Sequence, residues 1–587
     1  MKKKTLFIVV IIALFVAGGL LYITGKPSGE GEGAAQSEVN GSILYDEENA
    51  TEGVSFTPEK VEVIRIPEAT TIENGDKEAF YANEEFADII PADAASFSAK
   101  DIPSSYDSRD VDGKSYVTSV KNQGFTALCW AYVTLGAVET DILKHNSKLS
   151  ASDIDLSEKH LSYYNMHSSE GSLGANIDAD YREFVNAENE EGAWLFDYGT
   201  NYLDAGGVTN YSISVLSAWK GPVTDKGNDS LRNINRKEVV FKDNGDKPSI
   251  AYESEYHVQD VIEMKVDSGN LDLIKQMIME HGSVAVGICA DDKFWGPQFK
   301  TIYSHYEGKD ITIADHEVLI VGWDDDFPAS EFSYAPPGNG AWLCKNSWGE
   351  KKGYDGYFYL SYYDETIGTN NVAAYSVACK DSDRWYDNNY QAAGFISYVE
   401  SGMDDDENYV TAFSPSVNLY GMLYLADKDE LLKAIGLFSM ETYQQYEFFI
   451  YLNPEKTEMS IDQEGKETTD KAGYRIDFER LKSPEKTFKA SAIGGGYHTF
   501  ELPEEITLNK GDEFLILVKP RTEGRLAFES EIDSVSAPSY DEWDYLMGNV
   551  HNHYEASGCS YYIADDGTAL VSQQDKDFFV KAYTNNR

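Results

Sequence analysis

Val120-Lys121-Asn122-Gln123-Gly124-Phe125-Thr126-Ala127-Leu128-Cys129-Trp130-Ala131-Tyr132 is the stretch on which the reading of this chain turns. Just beyond it Ala131, Leu135, Val138 and Ile142 recur at i, i+4, i+7 and i+11, one apolar face of a helix. Cys129 therefore falls where that helix begins. A helix N-terminus carries unpaired N–H groups and a partial positive charge, and both favour thiolate over thiol. Cys129 is thus a candidate nucleophile, although a cysteine at such a place is more commonly a small buried hydrophobe.

A thiol nucleophile needs a base, and the base needs a group that fixes its ring. Ala314-Asp315-His316-Glu317-Val318-Leu319-Ile320-Val321-Gly322-Trp323 supplies His316 at the mouth of an alternating run, with Val318 and Ile320 on the same side of a predicted strand. Trp342-Leu343-Cys344-Lys345-Asn346-Ser347-Trp348-Gly349 supplies Asn346, whose amide oxygen can accept from a ring N–H. Read singly, these are a strand-rim histidine and a turn asparagine.

Read together they resemble the papain family of cysteine peptidases, which uses a Cys-His-Asn arrangement. Gln123 stands six residues before Cys129, and the Cys-Trp-Ala start, the Asp-His-x-Val strand and the Lys-Asn-Ser-Trp-Gly turn follow in the family's order. Ile102-Pro103-Ser104-Ser105-Tyr106-Asp107-Ser108-Arg109 resembles the mature N-terminus of such enzymes, and Gly353-Tyr354-Asp355-Gly356-Tyr357-Phe358 their closing strand. The resemblance implies a two-subdomain fold, one part helical and the other barrel-like. It also implies a thiol peptidase that acts on proteins or peptides and needs no cofactor or metal.

By the same resemblance Cys129 attacks the scissile carbonyl, while His316 holds the thiolate as an ion pair and then protonates the leaving amine. The Gln123 amide and the Cys129 N–H form the oxyanion hole. Asn346 orients His316, and Trp348 shields their bond from water. Gly206 and Gly207 resemble the segment that pairs with substrate backbone, where a bare glycine admits an extended peptide; Asp315 and Trp348 join them as substrate-side residues. Gly282-Ser283-Val284-Ala285-Val286 resembles a strand near a specificity pocket.

The chain also departs from the pattern. Ala127-Leu128 replaces the usual Gly-Ser, which predicts a bulkier wall beside the cleaved bond, and Thr126 replaces a disulfide cysteine. Cys129 and His316 lie 187 residues apart, more than the family's usual spacing, with charged insertions near 165–200 and 221–256. A further insertion over 324–340 could overhang the cleft.

Outside this stretch, composition sets limits. The chain has 587 residues and a formal charge of −51, which repels phosphate backbones and argues against a nucleic-acid partner. Five cysteines cannot form a disulfide scaffold, and Cys289, Cys344, Cys379 and Cys559 have no metal-like spacing. His551-x-His553 and Asp404-Asp405-Asp406-Glu407 read as a loop and a solvated acidic turn rather than metal sites.

Lys2, Lys3 and Lys4 precede an uncharged run from Thr5 to Gly25, long enough to span a bilayer. Residues 1–25 are expected to be a membrane anchor or a cleaved signal, which puts the rest outside the cytoplasm. Residues 26–58 read as an acidic flexible linker and 59–100 as a pro-like or lead-in segment; 17 acidic side chains face 5 basic ones over 26–100.

Residues 101–380 then form the papain-like domain, and beyond 385 helical periodicity fades. Tyr446, Phe448, Ile450 and Leu452 alternate, as do His498, Phe500 and Leu502, and Phe514, Ile516 and Val518 after the turn Asn509-Lys510-Gly511-Asp512. Residues 385–587 are therefore expected to be an all-β sandwich resembling a lectin-like domain, with cell-surface glycans as a partner. The fold class is α+β. The alternative reading is a surface adhesin or carbohydrate-binding protein with the papain-like part as scaffold.

Overall fold

The computed structural model describes residues 102–587 apart from 125, 204–206, 208, 232–248, 250, 253, 268, 306–313, 368–370, 381, 394–398, 404–408, 414–417, 462–466, 522–526, 531–549, 552–555, 565–566 and 575. Within 167–202 it describes only three short strands, and ahead of residue 102 only Lys77–Tyr81 and Ile90–Pro91. The run from Thr5 to Gly25, Gly206, His553 and the acidic turn 404–407 lie outside the described residues. Among those described, no helix is long and apolar enough to cross a membrane.

The chain is α+β, as its mixed periodicities predict. Helix Cys129–His145 is the centre of the first subdomain, buried from Trp130 through Leu143 except at Tyr132. It is buried almost all round, polar Thr134, Glu139, Thr140 and Asp141 included, which marks a helix enclosed by its neighbours rather than one lying on a surface. Helices Glu158–Met166 and Thr209–Ser217 pack against it, around Trp130, Leu135, Ile142, Leu161, Ile213 and Trp219. Leu128, just before Cys129, is fully buried in this core. Its bulk therefore goes inward, and the bulkier cleft wall expected from Ala127-Leu128 does not arise from Leu128.

The second subdomain is a sheet. Strand His316–Asp324 runs antiparallel to Val284–Ile288 on one side and Ala341–Lys345 on the other. All its residues but the last are buried, so it is covered on both faces rather than the one that a simple alternation suggests. Val318 and Ile320 face a core with Trp323, Trp342 and helix Leu271–His281, whereas Leu319 and Val321 face the central helix. The 324–340 insertion folds back on its own subdomain, where Phe327 stacks on Tyr359 at 4.1 Å and the Gly340 N–H donates to the Phe327 carbonyl at 2.9 Å.

The C-terminal part is a β sandwich. Nine strands form one layer, with Gln444–Leu452, Glu513–Pro520 and Tyr420–Leu425 at its middle. Phe448, Ile450, Ile516 and Val518 from this layer meet Ile435, Leu437, Phe500 and Val580 from the other. The other layer is not a separate sheet. Gly495, Gly496 and Tyr497 pair with Glu263, Ile262 and Val261, so one twelve-stranded sheet runs through both parts of the molecule. Tyr583 from the sandwich stacks on Trp219 at 5.3 Å, and Trp219 stacks on His257 at 3.8 Å.

The described pieces of 59–100 also lie against the C-terminal part. Phe80 meets Tyr443 edge-on at 5.7 Å, and Ile90–Pro91 pairs in parallel with the edge strand Lys486–Ala492. The Gln445 side-chain amide donates to the Phe80 carbonyl at 3.3 Å.

Candidate active site

Three local structures bring the predicted residues together. The first is the start of the central helix. Cys129 is its first residue and is partly exposed, and Leu128 before it supplies no side-chain cap. The second is strand His316–Asp324, whose first residue is the histidine. The third is the turn after strand Ala341–Lys345, which carries Asn346, Ser347 and Trp348.

His316 and Asn346 are joined directly, with Nε2 and Oδ1 at 2.9 Å. The Ser347 backbone N–H also donates to that Asn346 oxygen, at 2.8 Å. An atom that accepts from a backbone N–H is the amide oxygen, so the imidazole must be the donor in its own bond to it. Nε2 therefore carries the proton and Nδ1 is the free basic nitrogen. The Trp348 indole lies over the ring, with centroids 4.5 Å apart and planes at 25°. Lys352 Nζ sits 4.9 Å above the Trp348 ring.

Electrostatics differ from what the helix start alone suggests. Burial pushes the Cys129 thiol up to about 12, and the charges of Glu317 and Asp315 add to it, against the backbone N–H groups of Glu317 and Trp130. Burial likewise pushes His316 down to about 4; its bond to Asn346 opposes this and the charge of Lys352 adds to it. The sulfur feels the Glu317 N–H, so it lies against the residue next to His316.

Gln123 is held on every side. Its backbone N–H donates to the Ser347 carbonyl at 2.8 Å, and its Oε1 accepts from Ser347 Oγ at 2.7 Å. Its Nε2 donates to the Thr126 carbonyl at 3.0 Å, which leaves the second amide hydrogen available. Ser347 is the residue that reading the sequence missed. Its signal was present, since it sits inside the quoted Asn-Ser-Trp-Gly turn, but its target is 224 residues away in sequence.

The remaining predicted residues fall less directly on the cleft. Asp315 accepts from the Ala290 N–H at 2.6 Å and is pushed up to about 7 by burial. Gly207 is buried, and a Cβ there would lie 2.5 Å from the Trp130 indole, so packing on the residue after Cys129 itself requires a glycine. All five cysteines are free. Among the described residues no group of His, Cys, Asp and Glu could hold a metal ion.

Residues 102–377 match the family described as papain family cysteine protease. That segment carries the pattern of the papain family. Among curated relatives, Testin-2 of Rattus norvegicus is 24% identical over 249 residues, which cover 42% of this chain and 57% of that protein. Procathepsin L of Rattus norvegicus is 26% identical over 269 residues, covering 44% of this chain and 60% of that protein. The chain thus spans about three fifths of the length of these curated relatives.

Two solved structures extend the likeness past the papain-family domain. One is the clostridial cysteine protease Cwp84 after propeptide cleavage, at TM-score 0.54 and 22% identity, covering 83% of this chain and all of that one. The other is the cysteine protease and lectin-like domains of Cwp84, a surface layer associated protein of Clostridium difficile. It has TM-score 0.52 and 21% identity, and covers 83% of this chain and 89% of that one. The fold shared with them is a papain-like domain followed by a β domain.

Proposed function

We propose that this chain is a thiol peptidase that hydrolyses peptide bonds in proteins or peptides through Cys129. The observation that carries the reading is the His316–Asn346 bond of 2.9 Å beneath the Trp348 ring, which leaves Nδ1 as the basic nitrogen. An imidazole fixed in that tautomer takes the thiol proton as the sulfur attacks the carbonyl carbon, forming a C–S bond. The tetrahedral oxyanion is received by the free amide hydrogen of Gln123 and the Cys129 N–H. His316 returns the proton to the leaving amine, and water, deprotonated by the same ring, hydrolyses the thioester.

Trp348 acts on the ring it covers, keeping water from the bond to Asn346. Gly206, Gly207 and Asp315 serve on the substrate side, Gly207 through the Trp130 ring it touches. The basic residues ahead of the Thr5–Gly25 run support export and a membrane tether, with residues 26–58 as spacer. The sandwich 385–587 serves as a docking domain for cell-surface glycans.

The test is covalent titration of the full chain with a thiol-directed epoxide, together with Cys129→Ala. Stoichiometric labelling at Cys129 and loss of casein cleavage in the variant are expected. An unlabelled Cys129, or a variant that still cleaves, would favour the adhesin in which the papain-like part is a scaffold.

A further inference from the structure

Two short pieces ahead of the papain-like domain, Lys77–Tyr81 and Ile90–Pro91, sit in a seat that both parts of the molecule build. Helix Lys77–Tyr81 has five residues, too few to be stable by themselves, so its contacts hold it. Phe80 is 9% exposed and shares one core with Tyr443 and Ile493 of the sandwich and with Ile274 and Met277 of helix Leu271–His281. Its ring meets Tyr443 edge-on at 5.7 Å, and Lys77 Nζ lies 5.6 Å from the centre of the Tyr443 ring.

The seat is held in shape by its own bonds. The Tyr443 N–H donates to the Ile493 carbonyl at 2.8 Å, and the Tyr443 hydroxyl donates to Asn270 Oδ1 at 3.4 Å, across the boundary between the two parts. Tyr443 has a φ of +56°, a left-handed conformation that its surroundings must impose on a tyrosine. Arg521 donates to Gln445 Oε1 at 2.8 Å, which turns the Gln445 amide nitrogen to the Phe80 carbonyl at 3.3 Å.

The neighbouring strand supplies the rest of the seat. But for Ile90–Pro91, Lys486–Ala492 would be the outermost strand at that side of the nine-stranded layer, and a bare edge invites pairing with other chains. Its first half carries Lys486 and Lys489, charges that discourage such pairing, whereas Ala490, Ser491 and Ala492 are uncharged and buried. Ile90 and Pro91 pair with Ala490 and Ser491, within the uncharged half. Pro91 has no N–H, so the added strand offers a further one a donor fewer, as suits a strand that ends a sheet.

An aromatic hollow, an oriented amide and an uncharged stretch of edge together form a receptor for a peptide. We propose that residues 77–91 are a docking peptide that binds the N-terminal part of the chain to this seat, so that the two stay together when the backbone between Pro91 and Ile102 is cut. The Thr5–Gly25 run lies ahead of this peptide, so a tether formed by it would reach the peptidase domain through the seat as well as through the backbone. The inference does not depend on the chemistry of Cys129.

The experiment uses the full chain in detergent, with Cys129→Ala to prevent self-cleavage and the recognition sequence of a site-specific protease placed between Pro91 and Ile102. After the cut, the piece that begins at Ile102 is expected to co-elute with the N-terminal piece in gel filtration. A free peptide with the sequence of residues 77–91 should displace the N-terminal piece, and its Phe80→Ala form should need at least about 10-fold more to do so. Because the cut and the competitor are applied to the folded chain, neither result depends on a variant that fails to fold. Separation of the two pieces after the cut overturns the proposal, and so does a Phe80→Ala peptide that competes as well as the natural one.

Discussion

At the scale of single residues, the turn Asn346-Ser347-Trp348 holds both the His316 imidazole and the Gln123 amide. Asn346 fixes the His316 tautomer, and Ser347 fixes the Gln123 amide. A hydrogen bond to a group that becomes charged is worth about 1.5–3 kcal/mol. Asn346→Ala should therefore lower kcat/KM about 10- to 100-fold, with KM little changed. Ser347→Ala leaves the Gln123 amide held only through its Nε2 bond to the Thr126 carbonyl, and steady-state kinetics should show a drop of about 10-fold carried by kcat. Equal losses in binding of a substrate peptide would contradict both assignments. The residue types of this site were legible because their spacing is local: Gln123 to Cys129, and Asn346 to Trp348. Ser347's partnership was not, since it depends on a contact between segments far apart in the chain.

At the scale of elements, the central helix must be held by its far end if its first residue is to stay against the His316 strand. Asp141 does this. Its carboxylate bonds His281 Nδ1 at 2.7 Å and the Val377 N–H at 2.8 Å, which ties the helix to helix Leu271–His281 and to strand Asn371–Cys379. Burial alone would raise Asp141, but the bonds and charges of His145 and His281 win and bring it to about 2. A carboxyl lowered in the folded state contributes stability that is present above its unfolded value and lost as pH falls toward the folded one. Unfolding by denaturant should thus show an Asp141-dependent loss of stability between about pH 4 and pH 2.

Asp141→Ala should cost about 3–5 kcal/mol at pH 7, because it leaves buried donors unpaired. It should also remove that acid-dependent step; a variant as stable as the natural chain would contradict the anchoring role. The helix itself was plain from Ala131, Leu135, Val138 and Ile142. Its anchor was not, since an aspartate in a helix reads as a solvated residue until the strand beside it is known.

At the scale of the whole molecule, the papain-like domain and the sandwich share one sheet, and the seam passes through Gly496. Its φ is +94°, and a Cβ there would lie 2.1 Å from the Val261 carbonyl oxygen. Gly496→Val should therefore open the pairing of Gly495–Tyr497 with Val261–Glu263 and cost at least about 2 kcal/mol. Calorimetry should show a single cooperative transition for the natural chain and two for the variant; one unshifted transition would contradict the shared sheet. Alternation predicted the sandwich well, because Tyr446, Phe448 and Ile450 are buried on one face as their period requires. The continuity of the sheet was not legible, since a strand's pattern names its faces and not the neighbour at its edge.

The central claim is that one sulfur at the start of the central helix is the nucleophile of a peptidase. Mass spectrometry of the intact chain after treatment with a thiol-directed epoxide tests it most directly, because Cys289, Cys344, Cys379 and Cys559 serve as internal controls. The account predicts one adduct per chain at Cys129, blocked by a competing peptide. Labelling spread over the other cysteines with Cys129 unmodified would contradict it.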